Sequence, residues 1–162
     1  MLGCGARRSS LAEKTYRVVS VSLGSSKRDH TVTITLGGLT FEISRRGTDG
    51  SIPKAQQLIA ELDGKVDAIG LGGIDLYLRV GERKYLIRDA YRMARKAKKT
   101  PIVDGGGLKA SLERALPRLL VERIGVVPGD TPVLMVSAAD RYGLAEGFVE
   151  AGYPTLFGDL IF

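Results

Sequence analysis

The 162 residues, 44% of them hydrophobic, give one ordinary domain or one and a half with room for a core, and a mean hydropathy of +0.03 excludes a disordered chain. No apolar run approaches the roughly 18 residues of a helical membrane span, so no membrane association is expected. The formal net charge of +6 favours anionic partners, and its placement decides which ones.

Residues 1–15 read as an unstructured leader: Arg7-Arg-Ser-Ser10 shows little apolar periodicity. Met1-Leu-Gly-Cys4 lacks the basic and long apolar regions of a secretion signal. With Cys4 as the only cysteine, an intrachain disulfide and a cysteine-based metal site are excluded, and a reducing, cytoplasmic compartment is expected. Residues 16–23 form a β-branched strand that runs into a loop holding Ser25, Ser26, Lys27, Arg28 and His30. Open α/β sheets bind ligands at the carboxyl ends of their strands, and Lys27, Arg28 and His30 suit a carboxylate or phosphate. A plain surface hairpin loop is the simpler alternative. His30 is the only histidine, so no multi-histidine metal site is expected.

Residues 31–36 and 39–44 read as two strands around Gly37-Gly38. Ser51 caps a helix with Pro53 in its first turn and Ala55, Leu58, Ile59 and Leu62 on one face, closed by Gly64. Residues 66–71 form a strand leading into Gly72-Gly-Ile-Asp75, where Asp75 is a candidate carboxylate or simply a turn residue. Residues 76–80 and 84–87 suggest a β-hairpin. Asp89 then caps a basic helix whose Ala90, Met93, Ala94 and Ala97 face inward. Residues 75–100 hold nine lysines and arginines against Asp75, Glu82 and Asp89, the whole of the charge excess. A solvated helix face explains this most simply. Nucleic acid is disfavoured because aromatic residues are few and tryptophan is absent.

Residues 101–104 form a short strand before Gly105-Gly-Gly-Leu-Lys109, where helix-mouth amides and Lys109 suit an anion. Lys109 and Asp104 are candidate catalytic partners, a proton-transfer pair for a hydroxyl losing hydride. The plain alternative is a glycine-rich turn with an exposed lysine. The next helix turns Leu112, Ala115 and Leu116 inward, and Pro117 should kink or restart it. Residues 125–131 read as a linker.

Residues 133–136 read as a buried strand covered on both faces, followed by a helix with Leu144, Ala145, Phe148 and Val149 on one side, closed by Gly152. A second strand ends on Asp159. In a dinucleotide-binding βαβ unit, Ser137, Asp140 and Gly143 would occupy the glycine positions, and Asp159 the position that bonds the ribose hydroxyls. That acid favours NAD over NADP. A βαβ crossover without a cofactor is the alternative. The chain stops in mid-pattern at Gly158-Asp-Leu-Ile-Phe162, as a fragment of a longer protein would.

Taken together, Val18-Val-Ser-Val-Ser-Leu-Gly-Ser-Ser-Lys-Arg-Asp-His30, Gly47-Thr-Asp-Gly50, Gly72-Gly-Ile-Asp75, Ile102-Val-Asp-Gly105 and Val136-Ser-Ala-Ala-Asp-Arg-Tyr-Gly143 resemble bacterial proteins described as quinate or shikimate 5-dehydrogenase-like. The resemblance implies a substrate domain first and a Rossmann domain second, with NAD(P)-linked oxidation of a cyclic hydroxy-acid. It implies Ser20 and Ser22 at the family's paired-serine carboxylate site and Lys109 at its catalytic lysine. The Asn-x-Thr-x-Pro-x-Lys motif of characterised shikimate dehydrogenases is absent.

The expected fold is α/β. A mixed α/β domain over 16–128 precedes the opening βαβ unit of a Rossmann-like parallel sheet over 129–162. The expected function is an NAD(P)-dependent dehydrogenase-like protein acting on a small anionic hydroxy-acid. Ser20, Ser22, Lys27, Arg28 and His30 would hold that substrate. The alternative is a non-catalytic binding module or sensor for an anionic metabolite or nucleotide. Either is compatible with a homo-oligomer.

Overall fold

The computed structural model describes residues 14–159. The expected leader, except for Lys14 and Thr15, lies outside the described residues, as do Cys4 and residues 160–162. Five strands form one sheet: β1 (Thr15–Ser22), β2 (His30–Leu36), β3 (Leu39–Gly47), β4 (Ala68–Gly72) and β7 (Ile102–Val103), in the order β2-β3-β1-β4-β7. β1 lies parallel to β3 and β4, β4 parallel to β7, and only the edge strand β2 is antiparallel. The β2–β3 hairpin turns on two left-handed glycines, Gly37 (φ 59°) and Gly38 (φ 78°), the geometry that matches strand twist in a two-residue turn.

Alternation along β1 separates two faces. Val19 and Val21 point with Ile69 and Leu71 into a core closed by Ala55 and Ile59 of α1 (Ile52–Leu62) and by Ala90 and Met93 of α2 (Arg88–Ala94). Ile59, Ile69 and Met93 are wholly buried, each contributing about 2–3 kcal/mol of apolar transfer. Ser20 and Ser22 point to the other face, in register with Arg45 and Gly47 of β3 and with Gly70 and Gly72 of β4. Val32 and Ile34 of β2 are exposed on that face.

Helix α1 starts as expected, with the Ser51 hydroxyl accepting from the Lys54 amide at 3.3 Å, and ends before left-handed Gly64 (φ 76°). The start of α2 differs from expectation. Ile87 is its N-cap, while Asp89 is the second residue of the helix and pairs with Arg92 at 3.0 Å. The helix also stops at Ala94, not at Ala97, because the chain turns back so that the amides of Lys98, Lys99 and Thr100 can each donate at 2.8 Å to the Asp63 carboxylate. The three amides of Thr100, Lys98 and Lys99 pull the pKa of Asp63 down to about 2.

A carboxylate with a depressed folded pKa stabilises above its unfolded value of 3.8 and loses that contribution as pH falls towards 2. Asp63→Asn is therefore expected to lower Tm at neutral pH. The gap from wild type should be flat above about pH 5 and close below about pH 3, measured by thermal melts across that range.

A hairpin of β5 (Tyr77–Val80) and β6 (Arg83–Leu86) follows β4. Beyond β7, one helical rod runs through α3 (Gly106–Leu108), a π-helical turn (Lys109–Glu113) and α4 (Arg114–Ile124). Pro117 was expected to kink or restart this helix, yet it sits buried inside α4. The wide π turn ending at Glu113 gives room where the proline ring would crowd the carbonyl four residues back.

The last elements are β8 (Val133–Met135), α5 (Tyr142–Glu150) and β9 (Thr155–Phe157), with β8 and β9 parallel. Their core is Met135, Ala138 and Ala145 packed with Leu144, Phe148 and Phe157. The expectation that residues 133–136 are covered on both faces fails, because Leu134 is 65% and Val136 70% exposed. A two-stranded sheet under one helix buries one face only. Gly152 ends the α5 segment with φ 81°, as expected. Among the described residues no helix is long and apolar enough to cross a membrane. The architecture is α/β, with a mostly parallel five-stranded sheet.

Candidate functional site

Strands β1, β4 and β7 end at one edge of the sheet, and the loops that leave them are stitched together. The Leu23 amide donates to the Gly72 carbonyl at 2.9 Å, and the Leu76 amide to Asp104 Oδ2 at 2.7 Å. β1 lies between β3 and β4, so the chain leaves β1 towards one side of the sheet and later returns on the other. That crevice is where open α/β sheets hold ligands.

At this edge stands Lys109, first residue of the π turn. Its Nζ donates to Asp75 Oδ2 at 2.6 Å and to Asp140 Oδ1 at 2.9 Å. Burial disfavours the ammonium, but the hydrogen bonds it donates to Asp140 and Asp75 outweigh this and hold the Lys109 pKa above the ordinary lysine value. The Asp140 carboxyl is held below its ordinary value, first by the Lys109 hydrogen bond and against its own partial burial. Around the triad, Tyr77, Arg79, Lys109, Asp140 and Tyr142 line a cleft open to solvent.

The expected Lys109–Asp104 pair is not formed. Asp104 turns back on the chain, accepting from the Leu76 amide through Oδ2 and from the Gly106 amide at 3.0 Å through Oδ1. It holds the hairpin and the helix mouth together, and Asp75 takes the place beside the lysine. Asp140, awkward as a residue facing phosphate, has its explanation here as the second carboxylate on Lys109.

The residues expected to hold a dinucleotide are engaged otherwise. A Cβ on Gly143 would lie 2.5 Å from the Lys109 carbonyl oxygen, and one on Gly147 2.2 Å from that of Arg114. These glycines, one turn apart on α5, let the helix press against the 109–117 backbone. Arg114 reaches across to Glu146 and Glu150, and Arg141 to Glu113. Asp159 Oδ2 accepts from the Ala139 amide at 2.8 Å, closing the β8 loop, and its Oδ1 is buried without a partner. Only Ser137 keeps an exposed side chain clear of such contacts. This set does not fit a pyrophosphate cradle.

Of the five residues expected to grip a substrate, Ser22 and Arg28 come together, with Ser20 beside them. Ser22 Oγ accepts from the Gly24 amide at 3.1 Å and from Arg45 Nη2 at 3.0 Å. The point that a Cβ on Gly24 would occupy lies 2.6 Å from Arg28 Nη2 and 2.8 Å from Arg45 Nη2, so two guanidinium groups close over that glycine. Arg45 is fixed by Asp29 at 2.9 Å, whereas no carboxylate among the described residues pairs with Arg28. Two forks with one carboxylate between them leave charge for an incoming anion. Lys27 is exposed and contributes its amide to the Ser25 hydroxyl, and His30 starts the exposed edge strand with Nδ1 on the Arg28 carbonyl. Neither supplies one of the three heavy atoms nearest the Gly24 point.

Arg45 and Gly147 went unread in the sequence. Arg45 reaches Ser22 only through the parallel β1–β3 register, which no local pattern encodes. The Gly143-x-x-x-Gly147 spacing was the available signal for Gly147.

No curated protein matches the chain. Residues 107–162 match a second family described as Domain of unknown function (DUF8754), so the triad draws Asp75 from one matched segment and Lys109 and Asp140 from the other. Residues 17–104 match Domain of unknown function (DUF8753), and the chain belongs to that family.

Proposed function

We propose that the protein is a binding module for a small hydroxylated carboxylic acid. Lys109, held between Asp75 and Asp140 at the carboxyl edge of the sheet, is the observation that carries this reading. An ammonium flanked by two acceptors presents donors and acceptors at one point, which suits ligand hydroxyls. The ligand carboxylate goes to Arg28 and Arg45 over Gly24. The Gly72-Gly73 turn links the two arms, since a Cβ on Gly73 would lie 3.5 Å from the Gly24 amide.

The second reading is an NAD-linked dehydrogenase of the quinate or shikimate type. Lys109 favours it: with its pKa held up it stays an ammonium, so a carboxylate would take the hydroxyl proton while Lys109 steadied the alkoxide. The engagement of Gly143 and Asp159 weighs against it.

A thermal-shift panel with quinate, shikimate, NAD, NADP and ADP-ribose separates the readings. A ligand at about 100 times its Kd stabilises by roughly 2.7 kcal/mol. The binding-module reading expects a shift with a hydroxy-acid that Arg28→Ala and Lys109→Met abolish, and none with NAD or ADP-ribose. Shifts with NAD and ADP-ribose would move the conclusion to the dehydrogenase. No shift with any hydroxy-acid would remove both.

A further inference from the structure

We infer that the groove between α1 and the turn after α2 is a binding site for a small anion carrying two or more phosphate groups. Gln56 of α1 and Arg92, Arg95, Lys96 and Lys98 line about 670 Å³ of open space. Asp89, bonded to Arg92, is the single carboxylate paired with any of these four cations among the described residues. The groove is thus a concave surface with about three uncompensated positive charges. Their mutual repulsion is relieved best by one multivalent anion.

The cations stand on a fixed mount. The amides of Arg95, Lys96 and Ala97 bond back to Tyr91, Met93 and Ala94 at 3.0–3.1 Å. The next three amides converge on Asp63, and the Thr100 hydroxyl accepts from the Gly64 amide at 2.7 Å. Met93 is wholly buried beneath the turn. Arg95 lies 5.9 Å from the centre of the Tyr91 ring, which restrains its guanidinium. Backbone positions are therefore set before a ligand arrives, and two arginine forks among lysines match phosphate oxygens. Compensating the dipole of a seven-residue helix would need one or two cations at its end, not four around a hollow.

The turn runs straight into β7, so this groove lies at the amino edge of the sheet, while the Lys109 cleft lies at the carboxyl edge. The two sites can be disabled separately.

The probe is inorganic tripolyphosphate, titrated calorimetrically into the wild type, Arg95→Ala/Lys98→Ala and Lys84→Ala/Arg88→Ala. The last variant removes two cations of the same segment that do not line the groove. At about 50 mM salt, one saturable site per chain is expected, weakened about tenfold or more in Arg95→Ala/Lys98→Ala and within about twofold of wild type in the control; about 500 mM salt should weaken all three. All four substituted residues are exposed or half-exposed, and matched melting curves confirm folding. No saturable heat overturns the proposal. Equal losses in both variants also overturn it, as diffuse attraction to a basic surface. Binding of a short RNA without binding of tripolyphosphate overturns it in favour of a nucleic-acid face.

Discussion

Gly147→Ala is expected to destabilise the protein by about 2–3 kcal/mol, read from the urea midpoint. The added Cβ would meet the Arg114 carbonyl oxygen at 2.2 Å and Pro117 Cδ at 3.2 Å. Neither is the tip of a flexible side chain, so α5 must move off the 109–117 rod. The sign of the effect is the diagnostic point. Alanine in a helix normally gains up to about 1 kcal/mol over glycine. Gly107→Ala, in α3 with nothing within 4 Å of its new Cβ, should show that ordinary gain. Opposite signs at two helical glycines would establish that Gly147 is a packing residue. Two gains would remove the close approach of α5 on which the account of Gly143 also rests.

Lys109→Met is expected to cost about 2 kcal/mol of stability and to abolish ligand binding. It removes the cation and leaves Asp75 and Asp140 facing each other. Breaking a buried pair costs about 3–5 kcal/mol, and the lower figure follows because the Asp140 side chain is 54% exposed. The pH dependence follows from the two displaced titrations. Asp140, depressed in the fold, adds stability above its ordinary value of 3.8 and loses it as pH falls through the folded value. Lys109, raised in the fold, adds stability below 10.5 and loses it as pH rises through the folded value. The gap between wild type and variant should therefore be widest from about pH 5 to 9 and narrow at both ends. A gap that does not change with pH would mean that the lysine acts by packing alone.

Local chemistry made the strands and turns legible. Gly37-Gly38, the Ser51 cap with Pro53, and Gly64 and Gly152 each act within a few residues of their own position, and each stands where the sequence put it. The two errors in α2 share one cause, which is competition from groups distant in sequence. Asp89 looked like a cap, but α2 begins two residues earlier because Ile87 is held in the extended conformation by the hydrogen bond its amide donates to the Leu76 carbonyl. Ala97 fits the helical face of α2, yet Asp63, more than thirty residues away, draws the chain into a turn first.

The site was half legible for the same reason. The sequence marks Lys109, Asp140 and Gly143, but it suggests Asp104 as the partner of Lys109, whereas the structure pairs Lys109 with Asp75 and Asp140. A glycine that admits a phosphate and one that admits a helix backbone are identical in sequence. Only the partner distinguishes them, and here the Lys109 carbonyl oxygen, 2.5 Å from where a Cβ on Gly143 would stand, identifies the helix.

The proposed hydroxy-acid would sit at the carboxyl edge of the sheet, against Lys109. The most direct measurement is an amide NMR titration of the ¹⁵N-labelled protein with quinate. Shifts concentrated in the loops after β1, β4 and β7 and at residues 139–143, and lost in Lys109→Met, are the expected result. Shifts confined to other surfaces, or a saturating response that Lys109→Met leaves intact, would contradict it.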